Sequence, residues 1–217
     1  MKLPIAITLG FSLLAFNVAA DEPGFQWNYS TLRLIDSGDP VKGEAVAKKH
    51  KCAKCHGDTG ISEEDDTPSI AGQMRSYHFK QLMDYKHSTR DEKTMTKRAR
   101  KLTQEEAADL AAFYEAQAPE KPPQREAPKL ATEGDKGRLL LSCDVCHGKG
   151  GVGYGMESPV LLGQKPVYFV DTMMAFREGD RENDAYGRMR FIANTLTEEE
   201  IKTLAAYYSM PPLPKDD

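Results

Sequence analysis

Basic charge is not in excess over this chain of 217 residues: 29 Lys and Arg stand against 33 Asp and Glu, a formal net charge of −4. A mildly acidic protein is a poor partner for a phosphate backbone, so nucleic-acid binding is excluded as a function. A long apolar run occurs once, at the N-terminus, and no other segment is expected to cross a bilayer. Strict alternation of apolar and polar residues is missing, which argues against strands and for an all-α fold. Cysteine is scarce, with four in all. What is present suffices for a core: 40% of residues are hydrophobic, and the length suits one large domain or two small ones.

The N-terminal run has the form of an export signal. Lys2 gives a positive start, an apolar stretch runs from Ile5 to about Val18, and Val18-Ala19-Ala20 places small residues before Asp21. The stretch is short for a membrane span, which needs ~20 apolar residues. Residues 1–20 therefore read as a signal peptide removed after Ala20, with retention as an anchor the alternative. The mature chain is expected in the periplasm, without a transmembrane span.

The four cysteines lie in Cys52-Ala53-Lys54-Cys55-His56 and Cys143-Asp144-Val145-Cys146-His147, 91 positions apart. Other residues recur at the same offset: Pro68 with Pro159, Gly72-Gln73 with Gly163-Gln164, Tyr77 with Tyr168, Met83 with Met174, and Arg90 with Arg181. The offset then becomes 94, pairing Met95 with Met189 and Leu102-Thr103 with Leu196-Thr197. Such sustained register marks a tandem duplication. The stretch from Gln117 to Ala131 holds Pro119, Pro122, Pro123 and Pro128, residues that lack a backbone donor and favour extended chain. The expected organisation is domain one over 21–118, a linker over 119–131 and domain two over 132–217.

Each copy reads as helical. Thr103 with Glu106, and Thr197 with Glu200, form capping boxes ahead of apolar residues at helical spacing. A middle helix is expected over 77–86 and again over 168–177, and a first helix leading into each cysteine pair. A domain of under a hundred residues has a modest core for its surface.

In Cys-x-x-Cys-His, two thiols one helical turn apart can each add to a vinyl group of one haem, and the adjacent His reaches the iron. Cys52, Cys55 and His56 are the candidates for a first covalently attached c-type haem. Cys143, Cys146 and His147 are those for a second. A redox disulfide, a zinc site and structural disulfides compete. Two copies in matching helical frames behind an export signal favour haem over all three. For the other axial position Met95 and Met189 are the repeat-matched candidates, placed in a polar, loop-like stretch. Met83 and Met174 also match but fall inside the middle helix, where Met is more often core filler. His78 and His87 have no repeat counterpart and read as surface or ordinary helix residues. His50 reads as exposed.

On these motifs the chain resembles class I cytochromes c, most closely the two-domain cytochrome c4 type. The matching pattern is Cys-x-x-Cys-His-Gly, Pro-x-x-x-Gly-Gln, a Tyr, a Met, and Leu-Thr-x-Glu-Glu, found at Cys52–Glu106 and at Cys143–Glu200. The resemblance implies two tandem domains of about three main helices, each around one haem with His on one face and Met on the other. It suggests that the backbone at Pro68 and Pro159 orients the proximal His, with ordinary loop punctuation the alternative. The implied role is an electron carrier without catalytic residues. Its donor would be a quinol-oxidising complex or a flavoprotein dehydrogenase, and its acceptor a terminal oxidase. Glu92-Lys93-Thr94-Met95 also looks like the diheme subunit of flavocytochrome c sulfide dehydrogenase, which keeps a complex-bound role open. A diheme enzyme would need an iron with an open position, and neither Met is lost. The basic clusters Lys48-Lys49-Lys51-Lys54 and Lys97-Arg98-Arg100-Lys101 flank the first site. They read either as a solvated face or as a surface steering an acidic partner.

Overall fold

The computed structural model describes Phe25 and residues 27–210; the signal-peptide reading of residues 1–20 lies outside them. Among the described residues the regular elements are all helical, and β-pairing is confined to three isolated bridges. The fold is the all-α one expected.

The first half contains α1 (Tyr29–Asp36), α2 (Pro40–His50), α3 (Ala53–His56), α4 (Arg75–His87), α5 (Lys93–Ala99) and α6 (Gln104–Glu115). Asp39 caps α2 through its side chain, with Pro40 at the first helical position, where a missing N–H costs nothing. The capping box at Thr103 and Glu106 starts α6. Helix α6 turns Ala107, Ala111, Leu110 and Tyr114 into a core with Ile35, Phe79, Leu82 and Met83. Gly43 lets α2 lie close against α6: a Cβ there would stand 2.0 Å from the Asp109 carbonyl oxygen.

The second half contains α7 (Lys129–Thr132), α8 (Cys143–His147), α9 (Pro166–Glu178), α10 (Arg188–Thr195) and α11 (Glu198–Tyr208). The Thr197–Glu200 capping box opens α11. A second core gathers Ala131, Leu140, Phe169, Met173, Ile201, Leu204 and Tyr208. Here the expectation of a helix leading into each cysteine pair fails. At the counterpart of α2 the chain makes only α7, a short 3-10 turn at Lys136–Arg138 and an Asp135–Leu140 bridge. Gly134 takes φ +74°, which ends α7, and the Asp135 side chain accepts from Gly137 and Arg138 N–H in place of a helical partner.

The proline-rich stretch contains no helix until Lys129, yet it is held to both halves. Pro119 lies over Gly72, the Glu120 carbonyl lies against Gly163, and Arg125 Nη1 donates to the Ser209 carbonyl at 3.1 Å. Phe25 and Trp27 pack on the first core, and Trp27 Nε1 donates to Glu157 in the second half.

Candidate haem-binding sites

The two Cys-x-x-Cys-His segments fold alike. Cys52 leads into α3, and Cys143 opens α8. The turn that follows each is stabilised identically: the Gly60 carbonyl accepts from Ile70 and Ala71, and the Gly151 carbonyl from Leu161 and Leu162. Gly57 and Gly148 leave the helices at φ 74° and 75°, where side chains are disfavoured. Gly72 N–H donates to the Tyr114 carbonyl, and Gly163 N–H to the Tyr208 carbonyl, each at 2.8 Å, which ties each loop to its last helix.

His56 and His147 are buried, at 8% and 7% exposure. His56 Nδ1 lies 2.9 Å from the Pro68 carbonyl oxygen, and His147 Nδ1 lies 2.9 Å from the Pro159 carbonyl oxygen. A carbonyl only accepts, so Nδ1 carries the proton and Nε2 keeps its lone pair. Burial lowers both imidazole pKa values, against the opposing pull of the proline carbonyl. Both rings are thus neutral and oriented, as a metal-ligating His must be. Pro68 and Pro159 therefore do more than punctuate a loop.

No disulfide joins the four cysteines; Cys52, Cys143 and Cys146 are half-buried and Cys55 is exposed. Burial pushes the Cys143 thiol up to about 11 and raises that of Cys52. A reactive redox pair needs the opposite, a depressed pKa in an electropositive setting. Among the described residues no three His, Cys, Asp or Glu converge on a point where a metal ion could be held by protein alone. The thiols are unpaired and the imidazoles present one free nitrogen each, so the chemistry of this donor set fits covalently attached haem.

Met95 and Met189 pack, partly buried, against the first and second cores. They lie on helices, not in a loop: Met95 on α5 and Met189 on α10. The cause is local capping. The Glu92 carboxylate accepts from Thr94 and Met95 N–H, and the Asp184 carboxylate accepts from Arg190 N–H. Met83 is 2% exposed in the first core, and Met174 is half-buried beside the second, its sulfur 3.5 Å from Arg177 Nη1.

Of the histidines outside the motifs, His78 is a helix residue but a buried one, and His50, expected to be exposed, is not. His78 is 8% exposed, stacks beside Tyr114 with ring centroids 5.4 Å apart, and has its pKa lowered to about 3 by burial. It occupies the repeat position of Phe169, which stacks on Tyr208, so the fold places a ring there in both halves. The His50 side chain is 12% exposed, with Nε2 3.7 Å from Glu106, because α2 packs on α6. His87 is on the surface, as read.

Sequence reading did not foresee the network joining the halves. Arg90 Nη2 donates to the Tyr168 hydroxyl and Arg181 Nη2 to the Tyr77 hydroxyl, each at 3.0 Å. Gln81, Asn183, Asp84 and Lys80 extend it. Burial would raise the Tyr168 phenol, but Arg90 and Arg181 overcome it and pull the pKa down to about 7. The available signal was that Tyr77, Arg90, Gln73 and their partners recur as polar pairs with no role in the cysteine motif.

The chain matches the cytochrome c family over residues 40–116. It is 38% identical to cytochrome c4 of Thiocapsa roseopersicina, over 78% of this chain and 91% of that one. It is 32% identical to the thiosulfate dehydrogenase electron acceptor of Stutzerimonas stutzeri, over 78% of this chain and 82% of that one. Its fold is similar to the crystal structure of reduced cytochrome c4 from Pseudomonas stutzeri: TM-score 0.73, 29% identity, 79% of this chain and 98% of that one. Two repeated haem motifs, two oriented histidines and these relatives agree: the chain belongs to the cytochrome c4 family, an electron carrier with two covalently attached c-type haems.

Proposed function

We propose that His56 and Met95 ligate the iron of the first haem, held by Cys52 and Cys55, and His147 and Met189 that of the second, held by Cys143 and Cys146. The domains run over 21–118 and 132–217, joined by the linker 119–131, and the mature protein works in the periplasm. The observation that carries this reading is the matched pair of His Nδ1–proline carbonyl bonds, which leaves Nε2 of each ring free as a donor.

When bound, each haem supplies a one-electron couple between ferric and ferrous iron. The chain's own part is ligation, burial and docking. A neutral imidazole and an uncharged thioether add no charge at the iron, and a Met ligand raises the potential. A His and a Met donor held to each iron would leave no site for a small substrate, so the protein would pass electrons without catalysis of its own.

The two halves present different surfaces. Around the first motif Lys51, Lys54, Lys97 and Lys101 are exposed, while Lys48 and Lys49 are engaged with Glu44 and Glu106. In the second half Leu139 and Val145 stand at the positions of Lys48 and Lys54, and Leu141 at that of His50, and the three are 80%, 58% and 71% exposed. The basic face suits a redox partner with an acidic surface. Relatives named as electron acceptors of thiosulfate dehydrogenase, and the 0.70 TM-score to that enzyme from Marichromatium purpuratum, favour a dehydrogenase as donor. A quinol-oxidising complex is the other donor class, and a terminal oxidase the acceptor.

The test is the absorption spectrum of the matured protein, oxidised and reduced, with and without carbon monoxide. Two haems and no response to carbon monoxide are expected. Met95→Ala and Met189→Ala should each open one haem to carbon monoxide and lower its potential. Binding by the unaltered protein would sink the closed-site reading in favour of a diheme enzyme. A mature mass lacking residues 1–20 tests export.

A further inference from the structure

Gln73 and Gln164 are repeat counterparts, and each reaches into the other half of the molecule. Gln73 Oε1 accepts from Val160 N–H at 3.0 Å, and its Nε2 donates to the Val160 carbonyl at 3.2 Å. Gln164 Oε1 accepts from Ser69 N–H at 2.9 Å, and its Nε2 donates to the Ser69 carbonyl at 3.0 Å. Because each side chain engages both an N–H and a C=O, its amide orientation is fixed by its partners.

The peptide gripped in this way is not arbitrary. The N–H of Val160 belongs to the same peptide group as the Pro159 carbonyl that accepts from His147. The N–H of Ser69 belongs to the same group as the Pro68 carbonyl that accepts from His56. One unbroken chain of hydrogen bonds therefore runs from His147 Nδ1–H through the Pro159–Val160 peptide to Gln73. An equivalent chain runs from His56 through Pro68–Ser69 to Gln164. Gln73 is 8% exposed and Gln164 half-buried, so water competes little for these bonds.

We propose that Gln73 and Gln164 are crossed positioning residues: each tunes the haem of the domain to which it does not belong. This rests on His56 and His147 being the iron ligands. The sign follows from peptide resonance. Accepting from the peptide N–H shifts electron density onto the peptide carbonyl, which then accepts more strongly from His Nδ1–H. The imidazole gains imidazolate character and becomes a better donor at Nε2. A better donor favours ferric iron, so each glutamine lowers the potential of the opposite haem.

The experiment replaces each glutamine by a side chain of similar length without an amide, Gln73→Met and Gln164→Met, in the full two-haem protein. The potential of each haem is followed by NMR during redox titration, with haem signals assigned to their domains. Gln73→Met should raise the potential of the second haem and leave the first nearly unmoved; Gln164→Met should do the reverse. The His147 Nδ1–H resonance should move upfield in Gln73→Met, and that of His56 in Gln164→Met. Equal shifts at both haems, a shift confined to the mutated domain, or no shift would each overturn the relay, since a clamp that merely joins the halves predicts no crossing. Should either variant fail to fold, amide exchange in the unaltered protein decides: protection of Ser69 and Val160 N–H like that of the core helices supports the relay, and rapid exchange overturns it. An unaltered protein whose spectrum lacks His-ligated iron would instead defeat the ligand assignment, independently of the potentials.

Discussion

The chemistry of His56 and His147 is fixed by carbonyls twelve residues further along the chain. The cysteine motif names each ring, but only the loop return chooses which nitrogen keeps the proton. His78 shows the converse. Its imidazole has no counterpart imidazole in the second half, yet the fold uses it as Phe169 is used, as a buried ring beside a tyrosine. Titration at this scale is also predictable. Arg138 grips Glu200 through two nitrogens at 2.7 and 2.9 Å and holds its carboxyl down to about 2, against an ordinary 4.5. A carboxylate with a depressed folded pKa contributes stability above its ordinary value and loses it as pH falls through the folded one. Thermal unfolding of the unaltered protein and of Glu200→Gln should therefore differ by a constant amount above pH ~5 and converge as pH approaches about 2. The gap should be small and should shrink in salt, because the pair is partly exposed.

Among the elements, the amphipathic helices were the most legible. The middle helices, expected over 77–86 and 168–177, run over Arg75–His87 and Pro166–Glu178. Both capping boxes form, because hydroxyl and carboxylate three residues apart satisfy each other's backbone donors wherever they fall. The helix expected before Cys143 was not legible: Gly134 and Gly137 surrender it to a capped turn that residue periodicity does not register. Gly43, the first-half counterpart of Gly134, has the opposite task of close helix approach. Ala at an ordinary helix position gains ~1 kcal/mol over Gly. At Gly43 the new methyl would meet backbone of α6, which cannot swing aside as a side chain would. Overpacking of that kind costs about 1–3 kcal/mol. Gly43→Ala should therefore lower the denaturant midpoint, and a rise would mean that α2 and α6 separate without penalty.

On the scale of the whole molecule, the halves are joined by reciprocal polar contacts, each made a second time between the repeat equivalents of the two partners. Arg90 with Tyr168 and Arg181 with Tyr77 are one interaction made twice, as are the two glutamine clamps. Arg181, 7% exposed, also bonds Gln81 and Asn183. A hydrogen bond to a charged group contributes about 1.5–3 kcal/mol, and removing Arg181 strands several partners at once. Calorimetry of the intact two-haem protein should show one cooperative transition, whereas Arg181→Leu should split it into two. A single unchanged transition in the variant would mean that the contacts left in place, among them Arg90–Tyr168, the two glutamine clamps and Trp27–Glu157, hold the halves together without the arginine.

The sequence by itself determined the duplication, the two Cys-x-x-Cys-His motifs and the helical class, because each rests on local spacing: a cysteine pair within one turn, a cap three residues from its partner, a period of 3.6. Only the tertiary structure decided how the copies face each other. The polar residues that recur at the fixed offset could have served their own domains, and nothing local distinguishes that from service across the boundary. Packing the halves about an approximate two-fold made the recurring Tyr and Arg residues partners of one another and set each recurring Gln on a backbone peptide of the other half, because a contact made across such an axis is made again by the equivalent residues in return.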